Sequence, residues 1–266
     1  MKRLITFVML FALVTTLFAQ NEQDSTSIEI PRNSWGAKLK ESNFHLGLDL
    51  QTKYIWRGME MMADESAPVL FPCVNYSNKG FYAYVMGGYA INGKYAEVDW
   101  GLSYTYKWIT VGINDYYYPT TNTPNDQYFN FKKGQTGHWL EAAITIAPEK
   151  IPAYLTVSNF FYGADRYIET DDAGNPTEEK QAYSTYAELG TYYDFLHDNR
   201  ISLAVGAALN KSCYNGYDKK FSICNVELKY TYNLGIKSFT LPLSVAYIYN
   251  PVYEKSYVNF STSLAF

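Results

Sequence analysis

Cysteine and histidine are scarce in this chain, with three of each. Cys73, Cys213 and Cys224 form no CxxC pair and no zinc spacing, so neither a redox dithiol nor a zinc module is encoded. An odd count leaves at least one thiol unpaired within the chain. A Cys213–Cys224 bridge from loop to strand is one reading; three small hydrophobes is the other. A basic excess is also lacking: 22 Lys and Arg face 26 Asp and Glu, for a formal charge of −4. Nucleic acid requires a basic face and is excluded as a partner. Beyond the first 18 residues no apolar run approaches the roughly 20 residues of a spanning helix, so a helical membrane protein is excluded.

Catalytic signatures are missing too. There is no Gly-x-Ser-x-Gly elbow, no glycine-rich phosphate loop and no HExxH. The histidines are His45, His138 and His197. His138 and Glu141 stand three apart, and on a strand that odd offset sends them to opposite faces. No catalytic residue, metal or cofactor is therefore assigned, and the chain reads as a non-enzyme. A Ser, His and Asp gathered near a barrel rim, as in lipid-modifying barrel enzymes, stays open.

What the chain does have is tyrosine, 27 of 266 residues, and a period of two. At the C-terminus Val258, Phe260, Thr262, Leu264 and Phe266 alternate with Tyr257, Asn259, Ser261, Ser263 and Ala265. One face is mostly apolar and the other small and polar. A terminal strand of this kind closed by Phe266 resembles the sorting signal of Gram-negative outer-membrane barrels, read by the barrel-assembly machinery. The N-terminus agrees. Lys2 and Arg3 precede an apolar run from Leu4 to Phe18, then Ala19 and a polar stretch. This reads as a secretory signal peptide over 1–19; against an uncleaved anchor, the run is short of the spanning length and no stop-transfer cluster follows. Its removal makes the remainder two units more negative. Residues 20–42 read as a flexible periplasmic tail, and 43–266 as the barrel domain.

Alternating segments predict about twelve strands of the length a tilted spanning strand requires. They lie near 44–56, 67–76, 81–91, 95–106, 108–118, 137–147, 152–162, 182–195, 200–210, 221–233, 237–249 and 256–266. Pro68, Pro72 and Pro242 sit inside predicted strands, where a ladder donor is lost. The connections alternate in length, as barrel turns and loops do. Ser77–Gly80, Tyr106–Trp108, Pro148–Ile151, Leu196–Asn199 and Leu234–Ile236 are short; 119–136, 163–181 and 211–220 are long. An even strand count returns both termini to the periplasm. The expected fold is all-β: an antiparallel, up-and-down, membrane-spanning β-barrel.

Faces follow from the alternation. Ala96, Val98, Trp100, Leu102 and Tyr104 meet lipid, with Glu97, Asp99, Gly101, Ser103 and Thr105 inside. Ile201, Leu203, Val205, Ala207 and Leu209 point out. Cys224, Val226, Leu228 and Tyr230 do the same, leaving Asn225, Glu227, Lys229 and Thr231 inside. A charge facing lipid costs roughly 2–4 kcal/mol near the midplane. Strict alternation sends Asp115 outward, to a rim or a bulge. The inward charged set is Asp49, Lys53, Arg57, Glu97, Asp99, Glu141, Glu188, Glu227 and Lys229. Acids outnumber bases, which suits a water-filled path for small polar solutes with a mild cation preference. Eight strands enclose only side chains and about 16–18 an aqueous channel. Twelve leaves two readings: a narrow pore, or a closed or ligand-holding lumen. Loop residues Tyr128, Tyr167, Tyr214 and Tyr217 suit either solute contact or packing over the mouth.

Three stretches resemble the TorF-like porin family of Gram-negative outer membranes. They are Asp49–Gly58, Gly80–Asp99 and Asp115–Pro119. The family's Tyr-x-x-Arg-Gly strand end is matched by Tyr54, Arg57 and Gly58. Its Gly-Phe/Tyr and acidic strands are matched by Gly80, Phe81, Glu97 and Asp99. Its Tyr-Tyr-x-Pro end is matched by Tyr116, Tyr117 and Pro119. His138, Trp139 and Glu141 fall where the family resumes with an acidic strand. The likeness covers Phe44 to Tyr162 by motif and the C-terminal half by pattern. It implies outer-membrane location and solute passage, and supplies no catalytic residue and no solute.

Overall fold

The structure is a computed structural model that describes residues 43–62, 66–119, 127–171, 173–218, 220–236 and 239–265. The expected signal peptide, the expected tail and Phe266 lie outside the described residues. Among the described residues sixteen strands form: β1 (Phe44–Gln51), β2 (Ile55–Trp56), β3 (Met59–Glu60), β4 (Val69–Asn78), β5 (Phe81–Ala90), β6 (Ala96–Tyr106), β7 (Ile109–Tyr117), β8 (His138–Ile146), β9 (Ala153–Gly163), β10 (Arg166–Thr170), β11 (Pro176–Gln181), β12 (Thr185–Phe195), β13 (Asn199–Ala208), β14 (Ser222–Ile236), β15 (Phe239–Asn250) and β16 (Lys255–Ala265). Twelve close into one antiparallel barrel in the order β1-β16-β15-β14-β13-β12-β9-β8-β7-β6-β5-β4. The remaining four pair as two hairpins, β2–β3 and β10–β11. Tight turns, the start of β1 and the end of β16 share one end of the barrel; the long connections lie at the other.

The period of two sorts the side chains as expected. On β6, Glu97, Asp99 and Gly101 are buried while Leu102 and Tyr104 are exposed on the outer face. Phe44, Val74, Val85, Val111, Ile144 and Phe260 add to that apolar exterior. Inside, tyrosine covers glycine. A Cβ on Gly206 would stand 1.9 Å from the Tyr186 hydroxyl, so only hydrogen there lets the ring lie across the neighbouring strand. Part of the tyrosine excess thus fills the interior.

Four expectations need correction. The first strand ends at Gln51, not Trp56, because Arg57 (φ 51°) and Gly58 (φ 81°) take left-handed backbone and double the chain back as β2–β3. Strand β14 runs on through Leu234, Gly235 and Ile236, so those residues are ladder and not turn. Cys224 does not face outward. Gly206 pairs with Asn225 and Ala207 with Ile223, which leaves Cys224 as the extra residue of a β-bulge. It is fully buried, with Sγ directed at the Gly206 carbonyl. The fourth is a second bulge that makes Phe161 extra on β9: Leu140 pairs with Tyr162, then Glu141 with Phe160. Asp115 needs no bulge. It stays on the outer face, near the rim.

The prolines fall where the ladder tolerates them. Pro68 precedes β4. Pro72 pairs with Leu48 on β1 but has no partner on β5, and Pro242 pairs with Asn233 on β14 beyond the stretch of β15 joined to β16. All three cysteines are free. The bulge has a chemical signature. In the folded barrel Cys224 is expected to resist a lipid-soluble maleimide and to react after unfolding. Labelling of the native protein at Cys224 would return the residue to the lipid face.

Candidate functional site

The β2–β3 hairpin lies inside the long-loop end of the barrel, and its sequence explains how it is held. Gly58 rests against the wall: a Cβ there would stand 2.1 Å from the Cys224 carbonyl oxygen, and the Asn250 amide donates to the Gly58 carbonyl at 2.9 Å. Trp56 reaches the opposite wall, with ring centroids 5.5 Å from Tyr116 and 6.2 Å from Phe160. The hairpin therefore crosses from β14 and β15 to β7 and β9. Met61 N–H donates to the Tyr54 carbonyl and Lys53 Nζ to Glu60 at 3.3 Å, closing it on itself.

Arg57 stands at its tip. Its Nη1 and Nη2 donate to Glu141 Oε1 and Oε2 at 2.5 and 3.1 Å, a forked pair. Nη1 also donates to the Tyr214 hydroxyl at 2.5 Å. The guanidinium carbon lies 4.5, 4.7 and 5.6 Å from the ring centroids of Trp56, Tyr186 and Tyr214. Rings around a cation attract it through their negative faces. Glu141, 1 % exposed, accepts further bonds from Tyr116 (3.1 Å) and Asn114 (3.4 Å). Tyr214 arrives from the β13–β14 connection, on a short turn at Cys213–Asn215 capped by Gly216. Burial pushes its phenol well above the usual range, so it stays protonated as a neutral partner.

Beside this pair lies a second acidic group. Glu97 Oε2 accepts from Tyr95 at 2.7 Å and from Tyr54, on the hairpin, at 3.5 Å. Glu97 and Asp99 are 0 and 1 % exposed. Glu97 Oε1 has no hydrogen-bond partner, and Asp99 has none besides the Tyr117 backbone N–H.

The other inward residues stand apart from the hairpin tip. Glu188 accepts from Tyr154 and Tyr186, and Glu227 pairs with Lys229 at 3.5 Å on the same face of β14. Asp49 is half-buried on β1, and Lys53 has left that strand for the loop. Of the motif residues, Tyr54, Arg57, Gly58 and Tyr116 meet in the lumen. Gly80 forms the β4–β5 turn with φ 87°, and Pro119 follows β7. Tyr117 is on the outer face, where rings of Tyr128 and His138 cover it at 5.1 and 4.7 Å. His138 and Glu141 do part to opposite faces: His138 Nδ1 meets Asp115 Oδ2 at 2.7 Å outside, while Glu141 meets Arg57 inside. No local pattern marks Trp56, Tyr186 and Tyr214 as partners of Arg57. The loop tyrosines pack: Tyr214 in the lumen, Tyr167 stacked on Tyr217, and Tyr128 on His138.

Strand pairing alone defines the class: a twelve-stranded closed antiparallel barrel with an apolar exterior. No family model matches the chain, and no curated protein does. Similar solved structures include porins. The NanC porin is 12 % identical, with TM-score 0.46, 83 % of this chain and 98 % of that one covered. The KdgM porin is 8 % identical, with TM-score 0.45 and coverages of 84 and 98 %.

Proposed function

We propose that the chain is an outer-membrane barrel of porin type, admitting small polar solutes through a narrow, mildly acidic lumen that the β2–β3 hairpin restricts. The observation that carries this reading is the hairpin itself. The constriction is a loop and not a wall, held by the Arg57–Glu141 pair, the Asn250–Gly58 bond and Trp56, so its removal should widen the lumen. The apolar exterior supports a lipid setting, because in water so extensive a surface would drive association. The tight-turn end, with both termini, would then face the periplasm, and the long connections the exterior. Tyr54, Arg57 and Gly58, which resemble the strand end of TorF-like porins, are three residues of this constriction. The C-terminal strand would engage the assembly machinery.

The rival is a closed structural or ligand-holding barrel, favoured by the packing of Trp56, Phe160 and Tyr214 across the lumen. Planar-bilayer recording separates them. Native protein is expected to give small discrete steps, and a variant with residues 54–61 replaced by a short glycine linker larger ones. Electrical silence from both would overturn the passage.

A further inference from the structure

We infer that the solutes admitted here are dications, with a guanidinium at one end and a second cationic nitrogen at the other, and that Arg57 occupies the seat of the first. This rests on the passage proposed above. The seat is built by the barrel, not by the hairpin. Glu141, Tyr116 and Tyr186 belong to wall strands, and Tyr214 to a connection elsewhere in the chain. A buried carboxylate offering both oxygens, flanked by ring faces, matches a planar forked cation better than a sugar hydroxyl or an anion. A tethered side chain fills it, and a free guanidinium presents the same donors.

The second seat is the Glu97–Asp99 pair. Glu97 Oε1 lacks a partner in this buried site and Asp99 has none besides the Tyr117 backbone N–H, so a cation between the two acids would supply donors they otherwise miss. Asp99 pairs across the sheet with Tyr116 on β7, and Asn114 of β7 pairs with Glu141 on β8. The two seats are therefore two strand spacings apart across the sheet, with Asp99 offset from Glu141 by two residues along it, about 12 Å in all. Side-chain tips across that span can be bridged by a four-carbon chain bearing a guanidinium and an ammonium. One hairpin covers both seats, with Arg57 on Glu141 and Tyr54 over Glu97. A dication that takes both seats can compete with a tethered Arg57 where a monocation has only one contact to offer.

The probes are agmatine (4-aminobutylguanidine), butylguanidine with one charge, and neutral butylurea. In detergent-folded Arg57→Ala, agmatine and butylguanidine are expected to raise the melting temperature, agmatine by several degrees more. Butylurea is expected to leave it unchanged. Adding Asp99→Asn should erase the advantage of agmatine and keep the butylguanidine shift. Equal shifts, or none, from butylurea and the cations would overturn the assignment. Should Arg57→Ala fail to fold, native channels decide it: agmatine is expected to increase open time and butylurea not, and unchanged gating rejects the inference. A melting shift in a barrel that stays silent without its hairpin would reject passage and leave the seats as a binding site. Current without any shift would reject the dication and leave passage standing.

Discussion

Arg57→Ala frees the lumen hairpin. The substitution removes a forked pair and leaves Glu141, 1 % exposed, with a buried charge facing the neutral side chains of Tyr116, Asn114 and Ser158. Breaking a buried pair by deleting one partner costs about 3–5 kcal/mol, chiefly as desolvation of the orphan. The barrel ladders do not depend on this contact, so the loss falls on local opening of residues 53–61. Amide exchange at Met61, whose N–H is held by the Tyr54 carbonyl, should accelerate by roughly two orders of magnitude. Glu141→Leu in the same chain should recover part of the protection, since no charge is then stranded. Unchanged exchange at Met61 would mean that Gly58 and Trp56 hold the hairpin without the ion pair.

Asp115→Ala detaches a second segment, on the outside. His138 Nδ1 meets Asp115, and its Nε2 donates to the Tyr128 carbonyl, an acceptor only. Phe131 stacks on the imidazole at 4.0 Å, and Tyr162 donates to the Phe131 carbonyl at 2.6 Å. Residues 127–137 are thus strapped over the outer rim through one histidine whose carboxylate partner, like itself, is fully buried. Removing Asp115 should expose the strap at a cost of similar size. Trypsin then reads it, because Lys132 and Lys133 are exposed. Cleavage there should speed up by roughly a hundredfold while the barrel's melting temperature holds. Loss of the barrel with the strap would show that the dyad supports β7 and β8 themselves.

How much of this could be read in the chain beforehand depended on range. Strand β6 was legible to within one residue because Ala96 to Tyr106 alternates without a break, and alternation is a local property. It failed wherever one extra residue entered. Nothing local distinguishes Cys224 at its bulge from a residue in register, so its face was inverted. The stretch after Gln51 also misled. Lys53, Tyr54, Ile55 and Trp56 suit a strand, and only the pair Arg57-Gly58 hints at a turn. The seat of Arg57 joins positions 84 and 157 residues apart, Glu141 and Tyr214. Single-sequence periodicity carries no information at that separation. The inward charges were visible one by one, and their pairing was not.

The closing seam has a consequence for biogenesis. β1 meets β16 over five residue pairs, Gly47–Gln51 against Ser261–Ala265, whereas β14 and β15 share eleven. The ring is therefore finished by the short segment Ser261–Ala265. Until that segment docks on β1 the chain is an open sheet with two unpaired edges, so the seam is where closure is most easily denied.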